Sequence, residues 1–262
     1  MKIFINNLYS EILKIWHTTS CKVVTGILTL VQGFLAYVTA KQTMAVGLDA
    51  VPDEFNGLLE AMPPIEFMGF DCIMLGTIPM IVLGALCGAS EYKLHCMRTT
   101  LLYFGKKKNL FCIKTIAVIL LSFIITFIST VITISVTHLT FGQQGLKPLY
   151  FNSIVWNFIF MSVISLTLLT VLSYFIGFLF RSSIVPMLFL VVQAYNLGNI
   201  LAEKFEICRY LPVALANHLI ASSETMFTLA PWQNISGLII WCSVFAVISY
   251  IIFQKSDLKG VC

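Results

Sequence analysis

Six apolar runs, each close to the length of a bilayer crossing, divide this chain at residues of about 22–40, 66–88, 111–138, 154–180, 184–202 and 235–253. A membrane-spanning helix needs roughly 20 mostly apolar residues. None of the runs shows the ten-residue alternation of membrane barrel strands. The pattern predicts an all-α integral membrane protein, with residues 1–262 forming a single membrane domain of six spans. Composition agrees, since hydrophobic residues make up 58% of the chain and charged residues 11%. Soluble domains carry about 45–50% and about 25%, so there is too little polar surface here to cover a soluble core. The third and fourth runs are long enough to tilt or to project beyond the lipid. Only Arg181, Ser182 and Ser183 separate the fourth from the fifth. That polar break reads as a hairpin, because the two runs fused would be far too long for one crossing.

An even number of spans puts both termini on one side of the membrane. Lys41, Lys147, Lys204 and Arg209 fall on the opposite side, which leaves the termini's side the other twelve of the sixteen Lys and Arg residues. Positive charge accumulates on the cytoplasmic side, so the expected location is a plasma membrane, multi-pass, with both termini in the cytoplasm. Residues 44–65, with Asp49, Asp53, Glu54 and Glu60 and no Lys or Arg, fit the outer side. Also on that side, Pro212 and Pro231 bracket a segment at 213–230 that reads either as a helix dipping into the outer leaflet or as an ordered loop. Residues 1–18 mix Phe4, Leu8, Leu13 and Trp16 with Asn7, Glu11 and Lys14, the composition of a helix lying along the interface. About 21 mixed residues precede the first apolar run, which argues against a cleaved signal peptide.

Between the second and third runs lies the most polar long stretch of the chain, residues 88–109, with Lys93, Arg98, Lys106, Lys107 and Lys108. Ser90 is a favourable N-cap and Glu91 suits a first helical turn. Leu94, Met97, Leu101 and Phe104 then recur at spacings of three and four, and Gly105 supplies a stop. A short cytoplasmic amphipathic helix follows. It serves either as a topology signal lying on lipid or as a face that docks into a partner's groove.

The chain carries no signature of its own catalytic chemistry. A phosphate loop requires Gly-x-x-x-x-Gly-Lys followed by Ser or Thr, and at Gly105–Lys106 residue 100 is Thr and residue 107 is Lys. There is no His-Glu-x-x-His and no Cys-x-x-Cys. Within the spans, Gln193, Asn196 and Asn199 share a helical stripe, read as interhelical contacts or as a surface along a translocation path. Asp71 lies near the outer end of the second run, where it reaches water or lines a vestibule. Thr167, Thr170, Ser173 and Gly177 form a small-residue stripe suited to close helix packing.

"SEYKLHCMRTTLL" at 90–102 resembles the Ser-Glu-Tyr and Arg-Thr pattern that follows the second span of type-2 ABC transporter permeases, and "FQKSDLKG" at 253–260 resembles their Phe-x-x-x-Asp ending. The resemblance covers most of the chain, including the interfacial helix, the six spans and the long external segment before the last span. It implies a permease subunit without its own ATP site, paired with ABC ATPase subunits that hold ATP and Mg. It also implies a second permease chain, identical or a sister, and alternating access for a hydrophobic or amphipathic peptide or drug. No cofactor on this chain and no nucleic acid are implied. Glu91, Tyr92 and Arg98 are the matching positions, and on this resemblance they couple to the ATPase. The small size is similar to bacterial permeases that expel lantibiotics or bacitracin-like drugs. Two other classes stand beside this one, a membrane-embedded immunity or sensor protein that binds a peptide without moving it, and an intramembrane enzyme.

Overall fold

The computed structural model describes residues 2–48, 63–90, 92, 100, 107–148, 150–194, 206–220 and 231–255. All regular structure among them is helical. Helix α1 spans Lys2–Trp16, and α2 spans Thr19–Val46 with one π-helical turn at Ile27–Val31. A 3-10 turn at Ile65–Phe67 leads into α3, Phe70–Met74, followed by α4, Thr77–Ser90. Next come α5, Lys107–Thr140, and α6, Ser153–Phe180. The last three are α7, Ile184–Val192, α8, Pro212–Ile220, and α9, Pro231–Lys255. Helices α2, α5, α6 and α9 are each long and apolar enough to cross a membrane, and the bent pair formed by Ile65–Met74 and α4 makes up to five such units among the described residues. This is an all-helical membrane protein.

The long helices coincide with the first, third, fourth and sixth apolar runs. The second run, expected as one span over 66–88, is broken and bends by 43° between Met74 and Thr77. Pro79 explains the break, since it has no N–H to return to the carbonyl of Leu75 and its ring crowds that carbonyl. Gly76 completes it, with no side chain where Leu28 of α2 presses in; a Cβ there would lie 3.1 Å from Leu28 Cδ2. The fifth run, expected over 184–202, begins at Ile184 as foreseen. Its described regular helix covers nine residues, about 14 Å, and its remainder reaches residues outside the described set.

Helix α6 is the hub, packing on α4, α5, α8 and α9. At the α4–α6 seam backbone meets backbone. A Cβ on Gly84 would collide with the Thr170 carbonyl, and one on Gly88 with the Tyr174 carbonyl, while one on Gly177 would lie 2.9 Å from the Ala85 carbonyl oxygen. Ser173 Oγ donates to Ile81 O at 2.6 Å across the same seam. Thr170, Ser173 and Gly177 of the small-residue stripe thus serve close packing. Helix α8 packs on another part of α6 and is buried along nearly its whole length. Ser165 Oγ donates to Ala216 O at 3.0 Å, which places α8 about 18 Å along α6 from Ser153, near the middle of the bundle. The inner part of the 213–230 segment is therefore a buried helix; residues 221–230 lie outside the described set.

Helix α1 turns Asn7 and Glu11 toward the bundle, with Ile12 and Ile15 packing beside them. Asn7 and Glu11, one turn apart, are buried, while Phe4, Ile5, Leu13 and Trp16 are exposed. A helix with this arrangement suits a surround of lipid, with polar contacts reserved for the protein.

Candidate functional site

One end of the bundle gathers the ends of α4, α6 and α9 and the start of α5. Tyr92, just after α4, packs its ring against Phe178 of α6, with centroids 5.3 Å apart and the planes tilted by 59°. The Arg181 guanidinium lies 5.1 Å from the Tyr92 ring centroid, within the range of a cation–π contact. Arg181 closes α6 in the left-handed region, with φ of 53°. It is the hairpin residue foreseen between the fourth and fifth runs, and its αL conformation terminates α6. At the other end of the polar stretch, Lys107 Nζ donates to Gln254 O at 3.0 Å and lies 6.0 Å from the Phe253 ring centroid of α9. The segment between Tyr92 and Lys107 is thus tied at one end to the α6–α7 turn and at the other to the last turn of α9.

Beside this frame, α1 is locked to α5 by a buried ion pair. Lys114 Nζ donates to Glu11 Oε2 at 2.9 Å, with the two side chains only 3% and 6% exposed. A charge removed from water in this way is tolerated when its partner is in contact and hydrogen-bonded. A cavity of about 170 Å³ opens next to the pair, bounded by Glu11, Lys14, Ser20, Leu83, Ser90 and Lys114 among others.

A second polar cluster, without formal charge, lies deeper between α2, α3 and α5. The π turn of α2 shifts its hydrogen bonding, and Gln32 N–H reaches Ile27 O. Ser129 Oγ of α5 lies 2.9 Å from both Leu28 O and Gln32 Oε1. Gln32 Nε2 donates to Cys72 O at 3.0 Å, supporting the chain just before the break after α3. Irregular backbone survives at membrane depth only where protein supplies its missing partners, and Gln32 and Ser129 supply them here. The cluster joins a π-bulged helix to a broken one, a combination that recurs where helices move.

The residues singled out from sequence are scattered. Tyr92 lies in the end frame; Glu91 and Arg98, on either side of it in the motif, lie outside the described residues. Asp71 is exposed in the first turn of α3, where the helix dipole favours a carboxylate. Gln193 is buried, and its Nε2 donates to Phe189 O of the same helix at 2.8 Å. Its Oε1 is buried without a hydrogen-bond partner. Asn196 and Asn199, its companions on the stripe, lie outside the described residues. Sequence reasoning did not single out Gln32, Ser129, Glu11 or Lys114 as a site. Gln32 carried a signal, an amide in the middle of the first apolar run. Glu11 and Lys114 sat in the sequence as ordinary members of an amphipathic helix and a charge count, and only folding brings them together.

The model of the family described as Protein of unknown function (DUF2705) matches residues 26–259. No curated protein matches the chain.

Proposed function

We propose that this chain, which belongs to the Protein of unknown function (DUF2705) family, is the membrane-spanning subunit of a type-2 ABC exporter, with six spans and both termini cytoplasmic. Separate ATPase subunits bind and hydrolyse ATP with Mg, and a second permease chain completes the transporter. Its substrate is a hydrophobic or amphipathic molecule, of which a membrane-active peptide antibiotic is the leading class.

The observation that carries this reading is the anchoring of the segment between Tyr92 and Lys107. Its first end rests on Phe178 and Arg181, at the α6–α7 turn, and its second on Phe253 and Gln254 of α9. A push on that segment reaches the hub helix α6 and the terminal helix α9 together. The same segment carries the Ser-Glu-Tyr and Arg-Thr pattern. In this mechanism ATP binding draws two ATPase domains together, the segment follows them through contacts at Glu91 and Arg98, and Tyr92 passes the displacement to α6. The break between α3 and α4 and the π turn of α2, bridged by Gln32, allow the outer halves to swing as the inner ends close. Alternating access requires this kind of relative motion around the path.

Two measurements test the reading. Asp53→Cys and Lys107→Cys, each in a cysteine-free background, are expected to react with an impermeant reagent from opposite faces of intact cells; equal labelling would remove the six-span topology. Purification of the tagged chain from its native membranes is expected to recover an ABC ATPase subunit, and recovery to fall with Arg98→Ala while membrane insertion is unchanged. Absence of any ATPase in the wild-type preparation would leave a protein that binds peptides without pumping.

A further inference from the structure

We propose that Asn234 of α9 and Ser162 of α6, with Thr77 of α4 at the same level, bind the main chain of a peptide substrate once α8 moves aside. The inference rests on the exporter reading above and narrows its substrate to a polypeptide. Asn234 and Ser162 are fully buried, and Thr77 nearly so. Oδ1 and Nδ2 of Asn234, Oγ of Ser162 and Oγ1 of Thr77 have no hydrogen-bond partner among the described residues. By contrast, Thr133 and Thr170 donate to carbonyls of their own helices, and Ser173 and Ser249 to carbonyls of a neighbour. Two contacts fix the register of α9 on α6. Cys242 Sγ donates to Leu168 O at 3.3 Å and Ser249 Oγ to Phe175 O at 3.0 Å, each pair 74 positions apart. On that register Ser162 is level with Ser236, and Asn234 lies two residues, about 3 Å, closer to the Ser153 end. Helices α4 and α6 also run in parallel, since Gly84 meets Thr170 and Gly88 meets Tyr174. Thr77, about two turns back from Gly84, is therefore level with Val163.

Helix α8 packs on both α6 and α9 at this level. Ser165 Oγ donates to Ala216 O, and a Cβ on Gly237 would lie 2.7 Å from Leu215 Cδ1. Trp241 Nε1 donates to Tyr210 O, so α8 runs antiparallel to α9 and Leu219 follows toward the Ser153 end. Ser162 is one turn from Ser165 and Asn234 one turn from Gly237, both in that direction, which sets them beside the Leu219 half of α8. Helix α6 has 28 residues, about 42 Å, against a hydrocarbon core of about 30 Å. Centred in the bilayer, it passes each boundary by about 6 Å, and Ser162 lies about 8 Å inside. At that depth an unpaired amide is costly, and a leucine would fill the same volume. A carboxamide with both its carbonyl and its amino group free is the complement of a peptide unit, which offers one N–H and one C=O. A peptide entering hydrocarbon brings main-chain groups that water no longer satisfies; a fatty acid tail or a lipophilic cation brings none. Helix α8 is the element that yields. It meets α9 through the flexible end of Leu215, whereas α4 meets α6 through backbone.

Fluorescence titration of the full-length chain in nanodiscs, with empty nanodiscs subtracted, tests the site. The probes are a dansylated membrane-active peptide, the same peptide with esters in place of alternate amides, and a dansylated fatty acid. The wild type is expected to bind the peptide more tightly than its ester analogue. Asn234→Leu is expected to weaken peptide binding about sevenfold, the effect of two hydrogen bonds within a membrane, and to leave fatty acid binding unchanged. Ser162→Ala should weaken peptide binding about threefold, the effect of one. Asn234→Leu should also raise the thermal midpoint of unfolding, because it removes a buried amide that has no partner. An amide that serves packing alone would lower the midpoint when replaced. Ser236→Ala, at the same level on the exposed face of α9, is expected to change nothing. Equal affinity for the peptide and its ester analogue, peptide binding unchanged in both Asn234→Leu and Ser162→Ala, or a lowered midpoint in Asn234→Leu would each overturn the site. Failure of Asn234→Leu to accumulate counts as that lowered midpoint. A wild type that binds no peptide would overturn the site too, whereas recovery of an ATPase with the chain would still support the exporter reading.

Discussion

Helices α6 and α9 are nearly equal in hydropathy and opposite in position. The most apolar stretch of α6 is 78% buried inside the protein, and that of α9 only 17%. Apolar content commits both to the membrane but does not say which one the bundle is built around. Small polar residues make that choice. Helix α6 carries Ser162, Ser165, Thr167, Thr170, Ser173 and Gly177, all buried; Thr170, Ser173 and Gly177 let α4 approach to backbone contact, while Ser165 bonds to α8 and Thr167 meets Thr126 of α5. Helix α9 turns Ile240, Val244, Val247 and Ile251 outward and meets the hub along one narrow face, with Leu238 and Phe253 in the shared core and Ser249 Oγ donating to Phe175 O at 3.0 Å. Association between helices in lipid gains little from apolar surface itself, since lipid tails are equally apolar. Close packing and hydrogen bonds therefore separate a central helix from a peripheral one.

That contrast is easiest to break at the seam. Gly84→Leu sets a side chain against the Thr170 carbonyl, where nothing flexible can yield. It is expected to destabilise by at least about 3 kcal/mol, the upper end for overpacking, and to remove the monodisperse peak in size-exclusion chromatography of the solubilised protein. Normal elution would mean that α4 and α6 do not meet through their backbones.

Next in size is the lock between α1 and α5. Lys114→Met leaves the buried Glu11 carboxylate without its partner, a change that costs about 3–5 kcal/mol at buried pairs. Thermal unfolding in detergent should show the loss, and Glu11→Leu combined with Lys114→Met should recover most of it. If the double variant is no better than the single one, the pair is not what holds α1. Gln32→Leu ranks third. It removes the bonds to Ser129 Oγ and Cys72 O, each worth about 0.6 and at most about 1.7 kcal/mol in membrane proteins, and should lower stability by about 1–3 kcal/mol. A neutral result would show that the break after α3 keeps its shape unaided.

The smallest effect is expected on α9, where Ile240→Ala, on a face 63% exposed at that residue, should alter stability by less than about 0.5 kcal/mol. A loss comparable to that of Gly84→Leu would sharpen the contrast in another way, by marking the outer face of α9 as an interface with a second chain.

Long helices were legible in the sequence because twenty apolar residues have few alternatives. The expected ends of the fourth run, 154–180, differ from Ser153–Phe180 by a single residue. The break in the second run was written in Gly76 and Pro79 but masked by the apolar residues around them, since hydropathy does not register a missing N–H. The π turn at Ile27–Val31 has no marker of its own; Leu28, Gln32 and Ser129 define it only once α5 is alongside. The inward polar face of α1 was visible as an amphipathic pattern, and its direction depended on Lys114, about a hundred positions away. Of the candidate site, Tyr92 and the Arg181 turn were each noted from sequence, but their contact was not. The pairing of Lys107 with the end of α9 was not legible either, because no local pattern encodes a contact between distant helix ends.

The proposed transmission of motion through the Tyr92–Lys107 segment is tested most directly by substrate-stimulated ATP hydrolysis in liposomes that contain the chain and the ATPase recovered with it. Tyr92→Ala removes the ring that contacts Phe178 and Arg181 and leaves Glu91 and Arg98 in the sequence. The expected result is a complex that still assembles and hydrolyses ATP at its basal rate but is no longer stimulated by a membrane-active peptide, with stimulation kept in Tyr92→Phe. Full stimulation in Tyr92→Ala would contradict the transmission of motion through this contact.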